Sequence, residues 1–255
     1  NFWLLLRDLR GRGLREIRGD LVLDRSYFGG VESDPGRFDE QPTRPYNTGP
    51  DALLVNYKAI RLLFVPDAEA RAVRIGAEPI LPQIQIVNQL VLDAAPCGDW
   101  VARMKLDAQG GASGARLQFA GSYSRDCGER VRFFSVLSHQ QYVAALFTQL
   151  WRELGGVFSG GVRDGAAPAD ARRIAILQSP ALSEVVRDIN KYSNNVMARQ
   201  IFLTLATLDS APGTMDKARG VIRRWLDQKK LSMPELAMEN GSGLSRIERI
   251  SPRSM

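Results

Sequence analysis

Two distant stretches of the chain run through the same order of elements, and this repetition limits the fold more than any other feature. Phe2, Leu5, Leu6 and Leu9 recur at helical spacing until Gly11 and Gly13 stop the helix, and a strand-like stretch, Gly19-Asp20-Leu21-Val22-Leu23-Asp24, follows. Later, Ser138 with Gln141 forms a capping box, Val143, Phe147, Leu150 and Leu154 make an apolar stripe, and Gly155-Gly156 end it. The likeness of Leu6-Arg7-Asp8-Leu9-Arg10-Gly11 to Trp151-Arg152-Glu153-Leu154-Gly155 predicts two related αβ units packing on one sheet. Residues 1–50 and 137–178 then form one αβ domain, and the residues between them interrupt it.

The interruption, 51–136, carries alternating or apolar runs at 53–57, 71–75, 84–87, 101–106 and 116–120. Pro79, Pro82, Pro96, Gly98 and Gly110-Gly111 punctuate them at short intervals, which predicts an inserted antiparallel β domain without helices. Ahead of it, residues 29–50 are rich in Gly, Pro, Asp and Asn and read as a long ordered loop, a kind of segment that often carries function. Past a strand-like run at 173–177 the pattern turns helical. Ser179-Pro180 reads as a cap and first turn, with Leu182, Val185, Val186 and Ile189 on one face. Met197, Ile201 and Leu205 continue in a second helix, and Thr214 caps a third with the stripe Ala218, Val221, Ile222, Trp225 and Leu226. Residues 179–255 form a third region.

Composition narrows the function. A chain of 255 residues that is 44% hydrophobic can bury a real core, and its size favours two or three domains. No apolar run approaches the roughly 18 residues of a membrane span, so no transmembrane segment is expected. No signal peptide opens the chain, and since Phe2-Trp3-Leu4-Leu5-Leu6 is already helical in pattern, we expect a truncated start rather than a cytosolic protein. The net charge of +6 invites a nucleic-acid reading, but the basic residues are dispersed among Asp and Glu without interleaved aromatics, so no nucleic-acid partner is expected. Cys97 and Cys127 fit no metal pattern, and with His139 the only histidine no metal site is expected. On their own the two cysteines read equally as buried thiols or as a bridge.

The chemistry centres on Lys191-Tyr192-Ser193-Asn194-Asn195 and on Glu239-Asn240-Gly241-Ser242-Gly243-Leu244-Ser245-Arg246. Penicillin-recognising serine enzymes combine Ser-x-x-Lys, Ser-x-Asn and Lys-Thr-Gly: a serine nucleophile, a lysine base beside it, and a hydroxyl and carboxamide that hold the reacting groups. Only the middle part is here. No serine is followed three residues later by lysine, and none of the six lysines begins Lys-Thr-Gly. Read alone, Ser193 is a helix N-cap with Asn194 and Asn195 as a polar first turn, and Arg246 a surface arginine. Gly241-Ser242-Gly243 is a tight turn that lacks the full nucleophile elbow.

Together with Gln178 to Ala198, Pro212-Gly213-Thr214, Gly19 to Asp24 and Arg44-Pro45-Tyr46-Asn47, these motifs make the chain resemble the D-alanyl-D-alanine carboxypeptidase/endopeptidase family, the class C low-molecular-mass penicillin-binding proteins. The resemblance runs along most of the chain. It implies an α+β protein: part of a serine β-lactamase/penicillin-binding transpeptidase-like helical region, preceded by an αβ domain with an inserted antiparallel β domain. It also implies a periplasmic enzyme that cleaves peptidoglycan stem peptides at D-Ala-D-Ala through an acyl-enzyme, needs no cofactor and, when complete, binds β-lactams. In that scheme Ser193 relays a proton and Asn195 holds lysine and substrate. Arg246 meets the carboxylate of a diaminopimelate side chain beside Ser242 and Gly243, and Tyr46 with Asp39 serves its other end. The family also implies a Cys97–Cys127 disulfide. With the nucleophile absent from these residues, the chain is expected to be an interior piece, inactive alone. The alternative is a non-catalytic module that binds peptidoglycan or a partner.

Overall fold

The structure, a computed structural model, describes residues 2–31 and 33–255. The helices of the two repeated units meet. Helix α1 (Phe2–Gly11) lies against helix α2 (His139–Glu153), with Leu6, Phe147 and Trp151 buried between them. The capping box is made: Gln141 N donates to Ser138 Oγ at 3.1 Å and Ser138 N to Gln141 Oε1 at 2.9 Å. At the other end of α2, Arg10 of α1 donates Nε to Leu154 O at 3.0 Å and Nη2 to Gly155 O at 2.9 Å. A cation thus sits where the helix leaves unpaired carbonyls.

The strands of the two units also pair, but not as one sheet. β1 (Glu16–Ile17) runs parallel to β9 (Val157–Phe158), and β2 (Leu21–Leu23) parallel to β10 (Val162–Asp164), as separate two-stranded ladders. Both chains turn between the ladders, where Gly160 lies so close to Gly19 that a Cβ on it would stand 2.0 Å from the Gly19 carbonyl oxygen. Asp20 holds the turn by accepting from Gly161 N and Arg163 Nε, each at 3.0 Å.

The insertion folds as two three-stranded sheets. β3 (Ile60–Asp67), β4 (Ala72–Glu78) and β8 (Arg130–Phe134) form an antiparallel sheet in the order β4-β3-β8. β5 (Ile84–Asp93), β6 (Met104–Gly111) and β7 (Gly114–Ser124) form the second, in the order β5-β7-β6. Here the expectation of an all-antiparallel domain needs correction, because β5 pairs with β7 in parallel. The β6–β7 hairpin leaves one edge of β7 free, and β5 fills it in the same direction. Apolar alternation fixes which face a strand buries, not the direction of its partner. The run 53–57 is no strand either. Asn56, Tyr57 and Lys58 take positive φ of 48°, 52° and 54°, and Asn56 Nδ2 donates to Tyr142 Oη at 2.9 Å. The strand expected at 101–106 begins only at Met104. Phe64, Phe119, Tyr123, Phe134 and Leu117 make the core of the insertion, and Tyr142, Ala145 and Leu146 of α2 close it. Helix α2 therefore serves two cores, one on each flank.

Cys97 and Cys127 are joined by a disulfide with Sγ–Sγ 2.07 Å, as the resemblance implied. Titration of the unfolded, unreduced chain is expected to find no free thiol; two free thiols would remove the bridge and the oxidising compartment it points to.

After β10 the chain runs without regular structure to Ala181. The strand expected at 173–177 does not form: it has no ladder partner among the described residues, and Ile174 and Ile176 are more than half exposed. Helix α3 (Leu182–Tyr192) starts later than the Ser179-Pro180 signal, with Ala181 as N-cap and no side-chain cap. Ser179 Oγ instead donates to the Pro180 carbonyl at 3.1 Å. None of the side chains of α3 is fully buried. Helices α4 (Asn195–Ala206) and α5 (Met215–Gln228) pack on each other through Phe202, Ala206 and Ala218. Thr214 caps α5 as read, accepting from Lys217 N at 3.3 Å, whereas Trp225, placed in its apolar stripe, is half exposed. No described helix is long and apolar enough to cross a membrane.

Candidate active site

Helices α3 and α4 are joined by only two residues, and this sets the geometry of the Ser-x-Asn triplet. Ser193 is not the N-cap of α4, as its sequence context suggested; it is the C-cap of α3, in the left-handed region at φ 50°, ψ 47°. The cap of α4 is Asn194, whose Oδ1 accepts from Met197 N at 3.0 Å. A non-glycine residue held left-handed costs roughly 1–2 kcal/mol. In return the Ser193 hydroxyl is relieved of capping and stands exposed, with no hydrogen bond to a described residue.

Asn195 opens α4, and its Nδ2 donates to the Ser242 carbonyl at 3.1 Å. One turn later on the same helix face, Arg199 Nε donates to Ser242 Oγ at 3.2 Å. The two sequence motifs are therefore in direct contact. The Gly241-Ser242-Gly243 turn they grip is closed at its base by paired backbone bonds between Ala237 and Arg249, at 3.0 and 3.1 Å. Its curvature is held by one carboxylate. Glu248 Oε1 accepts from the backbone N–H groups of Glu239, Asn240 and Gly241 at 2.9, 2.7 and 2.9 Å, and Oε2 accepts from Gly243 N at 3.0 Å. Burial pushes the Glu248 carboxyl up, but the backbone bonds from Asn240, Gly241, Glu239 and Gly243 outweigh it and hold the group below its ordinary range. Gly241 is required twice over: its φ is +73°, and a Cβ there would come within 2.7 Å of the Phe202 ring.

Arg246 leaves this turn and crosses to the long loop 29–50. Its guanidinium lies over the Phe38 ring at 4.5 Å and donates Nη2 to the Phe38 carbonyl at 2.9 Å. Asp39 and Tyr46 are next to it but are turned toward each other. The Tyr46 hydroxyl donates to Asp39 Oδ2 at 2.6 Å, and Asn47 Nδ2 donates to Oδ1 at 2.8 Å. The Tyr46 bond is the main cause of an Asp39 carboxyl held below its usual range. The loop is docked on α4 by a reciprocal pair: Asp51 N donates to Gln200 Oε1 at 2.9 Å, and Gln200 Nε2 to Asp51 O at 2.8 Å.

Between the loop, α5 and the turn lies a cavity of about 330 Å³ whose wall includes Phe38, Asn47, Arg199, Asn240, Ser245 and Arg246. Of the catalytic and substrate-binding residues expected from the sequence (Ser193, Asn195, Ser242, Gly243, Arg246, Tyr46 and Asp39), only Arg246 lines it, with Glu239, Asn240, Leu244 and Ser245 of the same motif beside it. Ser242 lies behind the wall, and Asp39 and Tyr46 contribute their neighbours Phe38 and Asn47 instead. Arg199, Gln200 and Glu248 carried no motif. The spacing of Arg199 four residues after Asn195 was the one available signal. A larger cavity, about 570 Å³, shares Val31, Ser33 and Pro50 with the first, opens against Arg25, Asp51, Lys58 and His139, and touches neither motif. Burial pushes the His139 imidazole down to about 4.

The fold has counterparts in known proteins. Residues 1–255 match the model of the D-Ala-D-Ala carboxypeptidase 3 (S13) family. The chain is 24% identical over 261 residues to D-alanyl-D-alanine carboxypeptidase DacB of Haemophilus influenzae, covering 98% of this chain and 52% of that protein. It is 23% identical over 248 residues to the D-alanyl-D-alanine carboxypeptidase of Actinomadura sp. (strain R39), covering 94% and 45%. The crystal structure of penicillin-binding protein 4 (dacB) from Haemophilus influenzae superposes with TM-score 0.78 at 24% identity, over 99% of this chain and 55% of that one. The same protein complexed with a novel β-lactam superposes with TM-score 0.70 at 22% identity, over 99% and 54%. The chain thus has the mixed α+β fold of that protein and spans about half the length of the curated relatives it matches. On the match of its whole length, the chain belongs to the D-Ala-D-Ala carboxypeptidase 3 (S13) family.

Proposed function

We propose that these 255 residues are part of a periplasmic serine-type D-Ala-D-Ala carboxypeptidase/endopeptidase that acts on peptidoglycan stem peptides. Within it they supply the Ser-x-Asn element and the subsite for the substrate's side chain. The observation that carries the reading is the bond from Asn195 Nδ2 to Ser242 O, which ties the Ser-x-Asn turn to the loop bearing Arg246. In an acyl-enzyme mechanism the exposed Ser193 hydroxyl is free to pass a proton toward the leaving amine. The Asn195 carboxamide keeps its oxygen available to a lysine ammonium while its nitrogen fixes the loop. The nucleophile and its base belong to Ser-x-x-Lys, which does not occur in these residues. The same proposal divides the chain into an αβ domain (1–50 and 137–178), an inserted β domain (51–136) and part of the penicillin-binding domain (179–255). It assigns Arg246 to a diaminopimelate carboxylate, with Asp39 and Tyr46 as a polar pair at the rim.

Fluorescent penicillin, scored on denaturing gels, tests this directly. The longer protein that contains this chain is expected to form a covalent adduct and the 255 residues alone to form none. An adduct on neither would set aside the enzymatic reading in favour of a wall-binding module. An adduct on the 255 residues would mean that the nucleophile lies among them.

A further inference from the structure

Lys58 enters the 570 Å³ cavity as a half-buried cation without a counter-ion: among the described residues its ammonium makes no ion pair and no hydrogen bond. Burial pushes that ammonium down, and the acid whose charge opposes this, Asp51, is already engaged. Asp51 is 6% exposed; its Oδ2 accepts from Arg25 Nε at 2.8 Å and its Oδ1 from Leu53 N at 2.9 Å. The backbone is bent to put Lys58 here. Lys58 is the last of three left-handed residues in a row, in a turn closed by Lys58 N to Val55 O and Ala59 N to Asn56 O, both 2.9 Å. Non-glycine residues held this way cost free energy and gather where a site needs them. In the same wall, His139 Nδ1 is buried and meets no partner in hydrogen-bonding geometry among the described residues. An unpaired cation, a strained turn and an orphaned nitrogen thus meet at one cavity. Val31, Ser33 and Pro50 line both it and the 330 Å³ cavity, so the two lie side by side.

We propose that this cavity is an exosite for a second peptidoglycan stem peptide, one not being cleaved, whose glutamyl carboxylate pairs with Lys58. The proposal rests on the function given above and extends it from the reacting stem to the polymer that carries it. The carboxylate supplies the counter-ion that Lys58 lacks. The peptide's amides suit a wall that includes Ser33, Gln109, Ser138 and Gln140, whose polar groups a lone inorganic anion would leave unmatched. Stems hang close together on one glycan strand, so holding one beside the cleft raises the effective concentration of the next within it.

The test titrates the complete protein, its reacting serine occupied by penicillin, with L-alanyl-γ-D-glutamyl-L-lysine amide, which carries the glutamyl carboxylate but neither diaminopimelate nor D-Ala-D-Ala. Saturable binding is expected by calorimetry. Lys58→Met should weaken it on the order of 10- to 100-fold, and Lys58→Arg should retain it. The penicillin adduct reports whether each variant is folded. Independently of any variant, a photoreactive form of the tripeptide should crosslink to the wild type within residues 43–58 or 135–140. Equal affinity in K58M, or crosslinks only elsewhere, would overturn the proposal. Displacement of the tripeptide by an equal concentration of inorganic phosphate would overturn it too, leaving an unspecific anion pocket. A penicillin adduct without tripeptide binding would remove the exosite and keep the peptidase; tripeptide binding without an adduct would do the reverse.

Discussion

Replacing Ser193 by alanine in the complete protein is expected to slow acylation by penicillin, and turnover of a D-Ala-D-Ala donor, by about 10²- to 10⁴-fold, the range of a positioned proton-transfer group. The fold should not register the change. The hydroxyl is exposed, caps no helix and bonds to no described residue, so its removal opens no cavity and orphans no buried donor. Ser193→Gly sharpens the test. Glycine tolerates φ 50° without the penalty paid by serine, so S193G should keep or gain stability, by up to about 1 kcal/mol, while losing the same activity as S193A. Rates of covalent adduct formation, read beside thermal midpoints, separate the two effects. Near-normal acylation in both variants would take Ser193 out of the mechanism and leave it as a connector between helices.

Glu248→Ala should do more damage than its distance from Ser193 suggests. One carboxylate satisfies four backbone N–H groups of the turn that Asn195 and Arg199 grip. Charge-assisted bonds of this kind contribute more than neutral ones, and their loss together is expected to cost at least about 2 kcal/mol locally. Because the loss falls on the turn, it should appear as a drop of about 30-fold or more in kcat/KM. Glu248→Gln should recover part of the loss, since its amide oxygen can take the place of Oε1, which accepts three of the four bonds, while its nitrogen meets the Gly243 N–H and cannot accept from it, and the charge is gone. The pH dependence has a fixed sign. The folded carboxyl sits below its ordinary value, so its contribution is complete above the ordinary value and is lost as pH falls through the lowered one. The complete wild-type protein should therefore lose turn-dependent activity in acid, and E248A should lack that component. Wild-type-like kinetics in E248A would mean that Asn195, Arg199 and the glycines hold the turn unaided.

The residues explain how far the sequence could be read. The capping box at Ser138, the cap at Thr214 and the apolar stripe of α2 were legible because each depends on neighbours within one turn of helix. The β insertion was legible as strands, since alternation is local. The parallel pairing of β5 with β7 was not, because a strand's partner is chosen by which edge the hairpin leaves open. The run 173–177 shows the reverse failure: its apolar character is real, yet no described strand lies beside it to form a ladder. Ser-x-Asn and Gly-Ser-Gly could be found as patterns. That they touch, with the carboxamide of one on the carbonyl of the other, could not.

By itself, then, the sequence determined most of the helices and strands, the place of the short motifs and the family, because periodicity, caps and short motifs are properties of adjacent residues. Only the tertiary structure decided that Ser193 is a left-handed connector rather than a cap, since two helices joined by two residues leave no other turn. It alone brought Arg199 of α4 and Arg246 of the Gly241 loop to one cavity, and set Glu248 against the backbone of that turn. A buried charge acquires its meaning from what the fold brings within hydrogen-bonding distance of it, and in Arg199 the fold brings one serine and an open cavity.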